Sequence, residues 1–140
     1  MNNVNQSEKL IELAKNAMSK AYVPYSHFQV GAAILTKSGQ FYSGCNVENA
    51  AYPEGTCAEA GAIAAMVLAG NTQIKDIYVM GHGDALVTPC GGCRQKIREF
   101  SSAETMIHIC GSEGVRKSLT MNELLPFSFG PENLGQQNRE

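Results

Sequence analysis

The sequence predicts an α/β protein with a mixed sheet flanked by helices, on three observations. An amphipathic helix, a hairpin and then strand-helix-strand-helix-strand follow one another along 140 residues, which is the order of a layered α/β architecture. The hairpin demands an antiparallel pair, whereas the strand-helix-strand units demand parallel ones. Cys57 to Ala69 is apolar almost all round, the pattern of a buried helix.

The elements follow in chain order. In Glu8 to Ala21, Leu10, Leu13, Ala14, Ala17 and Met18 fall on one helical face, away from Glu12, Lys15 and Ser19. Ser7 is the predicted N-cap, and Pro24 lies just past the end. Phe28 to Leu35 reads as a strand, with Phe28 as core by its pattern. Thr36 to Gly39 is a turn, and Gln40 to Cys45 is the hairpin partner. Pro53 and Gly55 break the loop from Asn46 to Thr56. Gly70 ends the apolar helix. Ile74 to Met80 is a strand, Gly81 to Thr88 a loop, and Cys90 to Phe100 a second helix with Pro89 near its first turn. Strands are expected at Thr105 to Cys110 and Val115 to Leu119, then a short helix at Met121 to Leu125. The chain reads as one catalytic domain, 1–140, with a loose polar tail from about residue 132.

Composition narrows the function. A formal net charge of -2 and the lack of any long basic run argue against a grip on nucleic acid. The apolar runs are too short to span a bilayer. Met1 to Gln6 shows no basic segment leading into an apolar one, so the expected compartment is the cytosol. Five cysteines then read as ligands or buried thiols rather than disulfides.

The chemistry sits in Thr56-Cys57-Ala58-Glu59 and Pro89-Cys90-Gly91-Gly92-Cys93. Zinc takes thiolates readily, and catalytic zinc keeps three protein ligands with the fourth position open to water. Cys57, Cys90 and Cys93 are candidates for the three, with Glu59 beside the water as its proton shuttle. Thr56-x-x-Glu59 also matches a helix capping box, and from the tetrapeptide alone the two readings stand level. Two features favour the shuttle: Glu59 is the only charge in an apolar helix, and it follows a candidate ligand by two residues.

Other arrangements of the cysteines stay open at this level. Cys45 and Cys110, at strand ends, read as small buried hydrophobes. Gly91 and Gly92 leave the backbone between Cys90 and Cys93 free to fold round an ion. A closed structural zinc site would need a fourth thiolate from Cys45 or Cys110, and it ranks second to the open site. A Cys-x-x-Cys redox dithiol ranks third, since it needs neither Cys57 nor Glu59. His27, His82 and His108 fall outside the ligand positions and read as structural.

Beyond this motif, ordered blocks resemble the small homotetrameric cytidine deaminases of the three-cysteine zinc type. They are Pro24-Tyr25-Ser26-His27-Phe28-Gln29-Val30-Gly31-Ala32-Ala33, Gly44-Cys45-Asn46-Val47-Glu48-Asn49-Ala50-Ala51-Tyr52-Pro53, Cys57-Ala58-Glu59, Pro89-Cys90-Gly91-Gly92-Cys93-Arg94-Gln95 and Leu124-Leu125-Pro126-Phe127-Ser128-Phe129-Gly130-Pro131. The resemblance implies a three-layer α/β/α sandwich with a mixed five-stranded sheet. It also implies one Zn2+ per subunit, a homotetramer, and deamination of cytidine and 2′-deoxycytidine with Glu59 moving the protons. It assigns Asn46 and Glu48 to the ribose hydroxyls and Phe28 to the base pocket. The backbone around Ala58 and Cys90 would bond the base, and Tyr52 and Phe129 would lie at subunit contacts near a neighbour's site. A small nucleoside is the expected partner, with no nucleic acid and no membrane. A zinc-stabilised binding module, a thiol-disulfide oxidoreductase and a deaminase of a modified nucleoside or antibiotic are the alternatives. Three thiolates against a dication leave the site formally anionic, and two helix N-termini at Cys57 and Cys90 are the expected relief. Many three-cysteine relatives carry Arg directly after the glutamate; this chain carries Ala60.

Overall fold

The structure, a computed structural model, describes residues 3–135. Its strands are β1 (Val30–Thr36), β2 (Phe41–Cys45), β3 (Ile74–Gly81), β4 (Met106–Gly111) and β5 (Gly114–Thr120). Its helices are α1 (Asn3–Ser19), α2 (Ala58–Leu68), α3 (Gly91–Glu99) and the single turn α4 (Met121–Leu124). The strands form one mixed sheet in the order β2-β1-β3-β4-β5. β1 is antiparallel to both β2 and β3, β3 and β4 are parallel, and β4 and β5 are antiparallel. β2 and β3 therefore run the same way with β1 between them, and α2 makes the crossover.

Alternation along the strands sorts the core into two layers. Ala32 and Ile34 of β1, Ile77 and Val79 of β3, and Ile107 and Ile109 of β4 face Ala62 and Met66 of α2 and Ile97 of α3. The intervening Ala33, Leu35, Tyr78, Met80 and Cys110 face Leu10, Ala14 and Met18 of α1. The result is the expected α/β/α sandwich with a five-stranded sheet. Each fully buried isoleucine contributes about 1.5–3 kcal/mol. His108 is held between Asp76 (Nε2 to Oδ1, 2.8 Å) and Ser118 (Nδ1 to Oγ, 2.7 Å), a satisfied cross-strand ladder that agrees with a structural histidine.

Four expectations are corrected. α1 starts upstream at Asn3, so Ser7 is not its cap; Ser7 Oγ lies inside the helix and accepts from the Tyr78 hydroxyl at 3.0 Å. β1 starts at Val30, and Phe28 is not core but 41% exposed. The strand cannot begin earlier, because the Phe28 carbonyl accepts from Asn46 Nδ2 (2.9 Å) and its N–H is bonded to Ser26 Oγ (3.0 Å). α2 is not buried all round: Ala64, Val67 and Leu68 face outward, Leu68 at 90% exposure. Pro131–Leu134 forms a 3-10 turn, anchored by an Arg98–Glu132 ion pair at 2.6 Å; the rest of the expected loose tail, 136–140, lies outside the described residues.

Candidate active site

Two helix starts and one strand end build the site. Gly44 of β2 lets α2 lie directly on the sheet, since a Cβ there would collide with Ala58 O and Ala62 N. That close approach fixes the N-terminus of α2. Cys57 is the N-cap of α2 and Cys90 the N-cap of α3, both in extended backbone, so both predicted helix starts are found. Cys93 stands in the first turn of α3, 1% exposed.

The three sulfurs lie within 4.8 Å of one another, with Cys57 Sγ 4.0 Å from Cys90 Sγ. Tetrahedral zinc with Zn–S bonds of ~2.3 Å needs sulfurs ~3.8 Å apart. The donor set and its spacing thus fit the ion with little adjustment. Cys57 and Cys90 are exposed, which leaves a side open to water, while Cys93 closes the inner side. Neither Cys45 nor Cys110 joins the group. Among the described residues, a closed four-thiolate site is therefore absent.

Gly91 and Gly92 have a different role from the expected one. Both sit inside α3 without positive φ, so the backbone does not fold round an ion by means of them. The α3 N-terminus does that work. The Cys93 backbone N–H, above all, holds Cys90 below the usual thiol range. Burial pushes the Cys57 and Cys93 thiols upward.

Glu59 lies at the second position of α2, 4% exposed. The capping box proposed for Thr56 is not formed. The cap is Cys57, without a side-chain bond, while the Thr56 backbone makes a two-bond bridge to Val47 at 2.9 Å each way. Burial raises the Glu59 carboxyl above its ordinary value; its own backbone N–H, Cys93 and the Lys96 charge pull it partly back. A carboxyl raised in this way holds a proton more readily than an ordinary carboxylate, as a proton shuttle needs.

Of the remaining predicted residues, Phe28, Asn46, Glu48 and Tyr52 neighbour one another, Phe28 bonding Asn46 directly and Glu48 reaching Tyr52 through Tyr25, whereas Phe129 lies against α3. The bridge from Val47 to Thr56 places Asn46 and Glu48 beside the segment that leads into Cys57. The Asn46 carboxamide accepts from Val30 N–H and donates to the Phe28 carbonyl, both at 2.9 Å. Glu48 accepts from the Tyr25 and Ser26 N–H groups at 3.0 and 3.1 Å, and from the Ser26 hydroxyl. The Ser26 hydroxyl, chiefly, holds its carboxyl below the usual range. Tyr52 is 77% exposed and meets Tyr25 edge-on at 6.1 Å. Phe129, 55% exposed, is tied to α3 by Gln95 Nε2 bonding its carbonyl at 3.0 Å. The Ala58 side chain is wholly buried, so only its backbone is available to a ligand. Sequence reasoning missed Ser26, whose bonds to Glu48 arise from a turn with His27 at φ 60°.

Comparison with known proteins agrees with this geometry. Residues 4–109 match the family described as the cytidine and deoxycytidylate deaminase zinc-binding region. A cytidine deaminase of Sporosarcina psychrophila is 42% identical over 127 residues, covering 91% of this chain and 93% of the relative. A probable cytidine deaminase of Dictyostelium discoideum is 40% identical over 133 residues, covering 94% and 89%. The crystal structure of cytidine deaminase from Burkholderia pseudomallei superposes with a TM-score of 0.83 at 37% identity, covering 92% of this chain and all of that one. On the matched sequence, the shared fold and the three-sulfur cluster, the chain belongs to the cytidine and deoxycytidylate deaminase family.

Proposed function

We propose that this protein carries out zinc-dependent hydrolytic deamination of cytidine and 2′-deoxycytidine, yielding uridine or 2′-deoxyuridine and ammonia, in pyrimidine salvage. The observation that carries this reading is the buried carboxyl of Glu59 beside three convergent thiols, two of them open to solvent. Cys57, Cys90 and Cys93 hold the metal, which supplies a Lewis acid that lowers the pKa of water. Glu59 takes a proton from the attacking water as its oxygen bonds to C4 of the base, and passes that proton to N3. It then carries the second water proton to the amine, the C4–N bond breaks and ammonia leaves.

The other residues orient the nucleoside. Glu48 is ionised and fixed by the turn at Ser26, so it accepts charge-assisted bonds from sugar hydroxyls. Asn46 stands beside it, Phe28 offers its exposed ring to the base, and the backbone at Ala58 and Cys90 bonds base edges. Tyr52 and Phe129 complete the site of a neighbouring subunit in a homotetramer. The outward Val67 and Leu68 of α2 support that assembly, as apolar surface that association would bury. Five free cysteines, two of them exposed, support residence in the reducing cytoplasm. None of the helices in the described residues is long and apolar enough to cross a membrane.

Purified protein assayed for metal and for the absorbance change with cytidine tests the reading. One zinc per chain and cytidine-dependent loss of absorbance are expected. A zinc protein inert toward cytidine, 2′-deoxycytidine and other cytosine compounds would make it a binding module instead.

A further inference from the structure

We propose that Arg94 is a positioning residue for the zinc ligand Cys90, holding both peptide groups that flank that cysteine and tying them to α4. The inference deepens the zinc reading given above and rests on it. Cys90 is an N-cap, with loop behind it, so its own helix fixes it on one side only. The Arg94 backbone N–H donates to the Cys90 carbonyl at 2.9 Å and holds that side, the peptide after the cysteine. On the other side, Arg94 Nε donates to the Pro89 carbonyl at 2.8 Å. That carbonyl shares one planar unit with the Cys90 nitrogen, so the bond sets the direction in which the chain enters Cys90. One residue thus grips the backbone of the ligand from both directions.

The remaining donors carry the grip outward. Nη2 donates to Thr88 Oγ1 at 3.2 Å, and Nη1 to the Leu124 carbonyl at 2.8 Å. Leu124 closes α4, whose start is held by a capping box of Thr120 and Glu123 and whose Met121 and Leu124 belong to the core. The segment that leads into Cys90 is therefore fixed relative to the core, and not only relative to its own helix. The planar guanidinium fork reaches all three acceptors at once, whereas an ammonium is a compact point charge on a flexible stem. The acceptors are uncharged, and a charged donor strengthens each bond. Arg98, one turn further along α3, makes the contrast. It bonds Ser128 Oγ at 3.0 Å and pairs with Glu132 at 2.6 Å, so it holds the segment after α4 rather than the one before Cys90.

A set of variants in the full-length protein tests this, with two readouts that need no turnover. Zinc affinity is measured by competition with a chromophoric chelator, and the visible d–d spectrum of the cobalt-loaded protein reads the geometry of the ligands. Arg94→Met is expected to weaken zinc binding about tenfold, the low end for residues that orient metal ligands, and to alter the tetrahedral cobalt spectrum. Arg94→Lys keeps the charge without the fork and is expected to fall with Arg94→Met. Thr88→Val, the mildest change, removes one acceptor and is expected between wild type and Arg94→Met. Arg98→Met frees the segment after α4 and is expected to match wild type in both readouts. Wild-type affinity in Arg94→Lys would make the role one of charge, and equal losses in Arg94→Met and Arg98→Met would make it general support of α3. Either result overturns the Arg94 inference alone, as does a flat series among proteins that all bind zinc; a wild-type protein that takes up no zinc overturns it together with the reading beneath it.

Discussion

Cys57 and Cys90 are separated by 33 positions in the chain, yet their sulfurs lie 4.0 Å apart, each at the N-cap of a different helix. A cap position has extended backbone and projects its side chain past the first free N–H groups. Two such caps facing each other set thiols into the positive ends of two helices at once. The same convergence brings Glu59, in the first turn of α2, up to Cys93, in the first turn of α3.

Thiol chemistry should divide the five cysteines. Cys57→Ala, Cys90→Ala and Cys93→Ala each lose zinc, whereas Cys45→Ala and Cys110→Ala retain it. In metal-free protein a soluble alkylating reagent modifies the exposed Cys57 and Cys90, and zinc protects both. Cys110, 1% exposed and pushed up to about 12 chiefly by burial, stays unmodified in the folded protein. Metal analysis and mass spectrometry read both outcomes. A Cys45 or Cys110 variant that loses zinc would contradict the three-ligand site.

The seat of α2 on β2 is equally open to test. Gly44→Ala places a methyl group against Ala58 O and Ala62 N, which are backbone atoms and cannot rotate away. Overpacking of this kind costs about 1–3 kcal/mol, and the helix start that carries Cys57 must shift with it. Thermal unfolding should occur several degrees lower, with weaker zinc retention. An unchanged midpoint and full zinc content would show that the close approach does not position the site.

Ser26 governs Glu48 and through it the choice of substrate. Ser26→Ala removes the hydroxyl that chiefly holds the Glu48 carboxyl low, and KM for cytidine should rise more than kcat falls. The same fixed charge disfavours a 5′-phosphate, which carries about -1.5 to -2 charges. Cytidine is expected to exceed its 5′-monophosphate by at least about tenfold in kcat/KM, the equivalent of ~1.4 kcal/mol. Equal values in the same salt would reject the charge argument.

Much of this was legible in the sequence, and the misses share one cause. The helix starts at Cys57 and Cys90 and the mixed sheet follow from spacing and periodicity; the ligand trio ranks first among arrangements that spacing leaves open, the family resemblance favours it, and the structure groups those three sulfurs. Phe28 misled because its backbone is claimed by Ser26 and by the Asn46 carboxamide. The Asn46 bond joins positions 18 apart and leaves no periodic trace. Val67 and Leu68 misled because a single apolar pattern does not say whether a helix is covered by its own chain. The Thr56 capping box misled because Val47 holds the Thr56 backbone in a bridge, which moves the cap to Cys57.

Removal of zinc should expose the cost of burying Glu59. Its folded pKa is raised above the ordinary 4.5 by burial. The group therefore contributes stability that is fully present below the unfolded value and is lost as pH rises through the folded one. In metal-free protein the unfolding midpoint of wild type should fall below that of Glu59→Gln as pH rises above about 4.5. Parallel profiles for the two proteins would show that the carboxyl carries no such penalty.

Turnover of cytidine by zinc-loaded Glu59→Gln tests the central claim most directly. The amide keeps the shape of the side chain but cannot shuttle protons. With full zinc content and a native melting curve, kcat should fall at least about 10²–10⁴-fold, the range for a general acid-base group, and further where one group serves several steps. Turnover near that of wild type, with zinc in place, would contradict the assignment of Glu59 and the mechanism built on it.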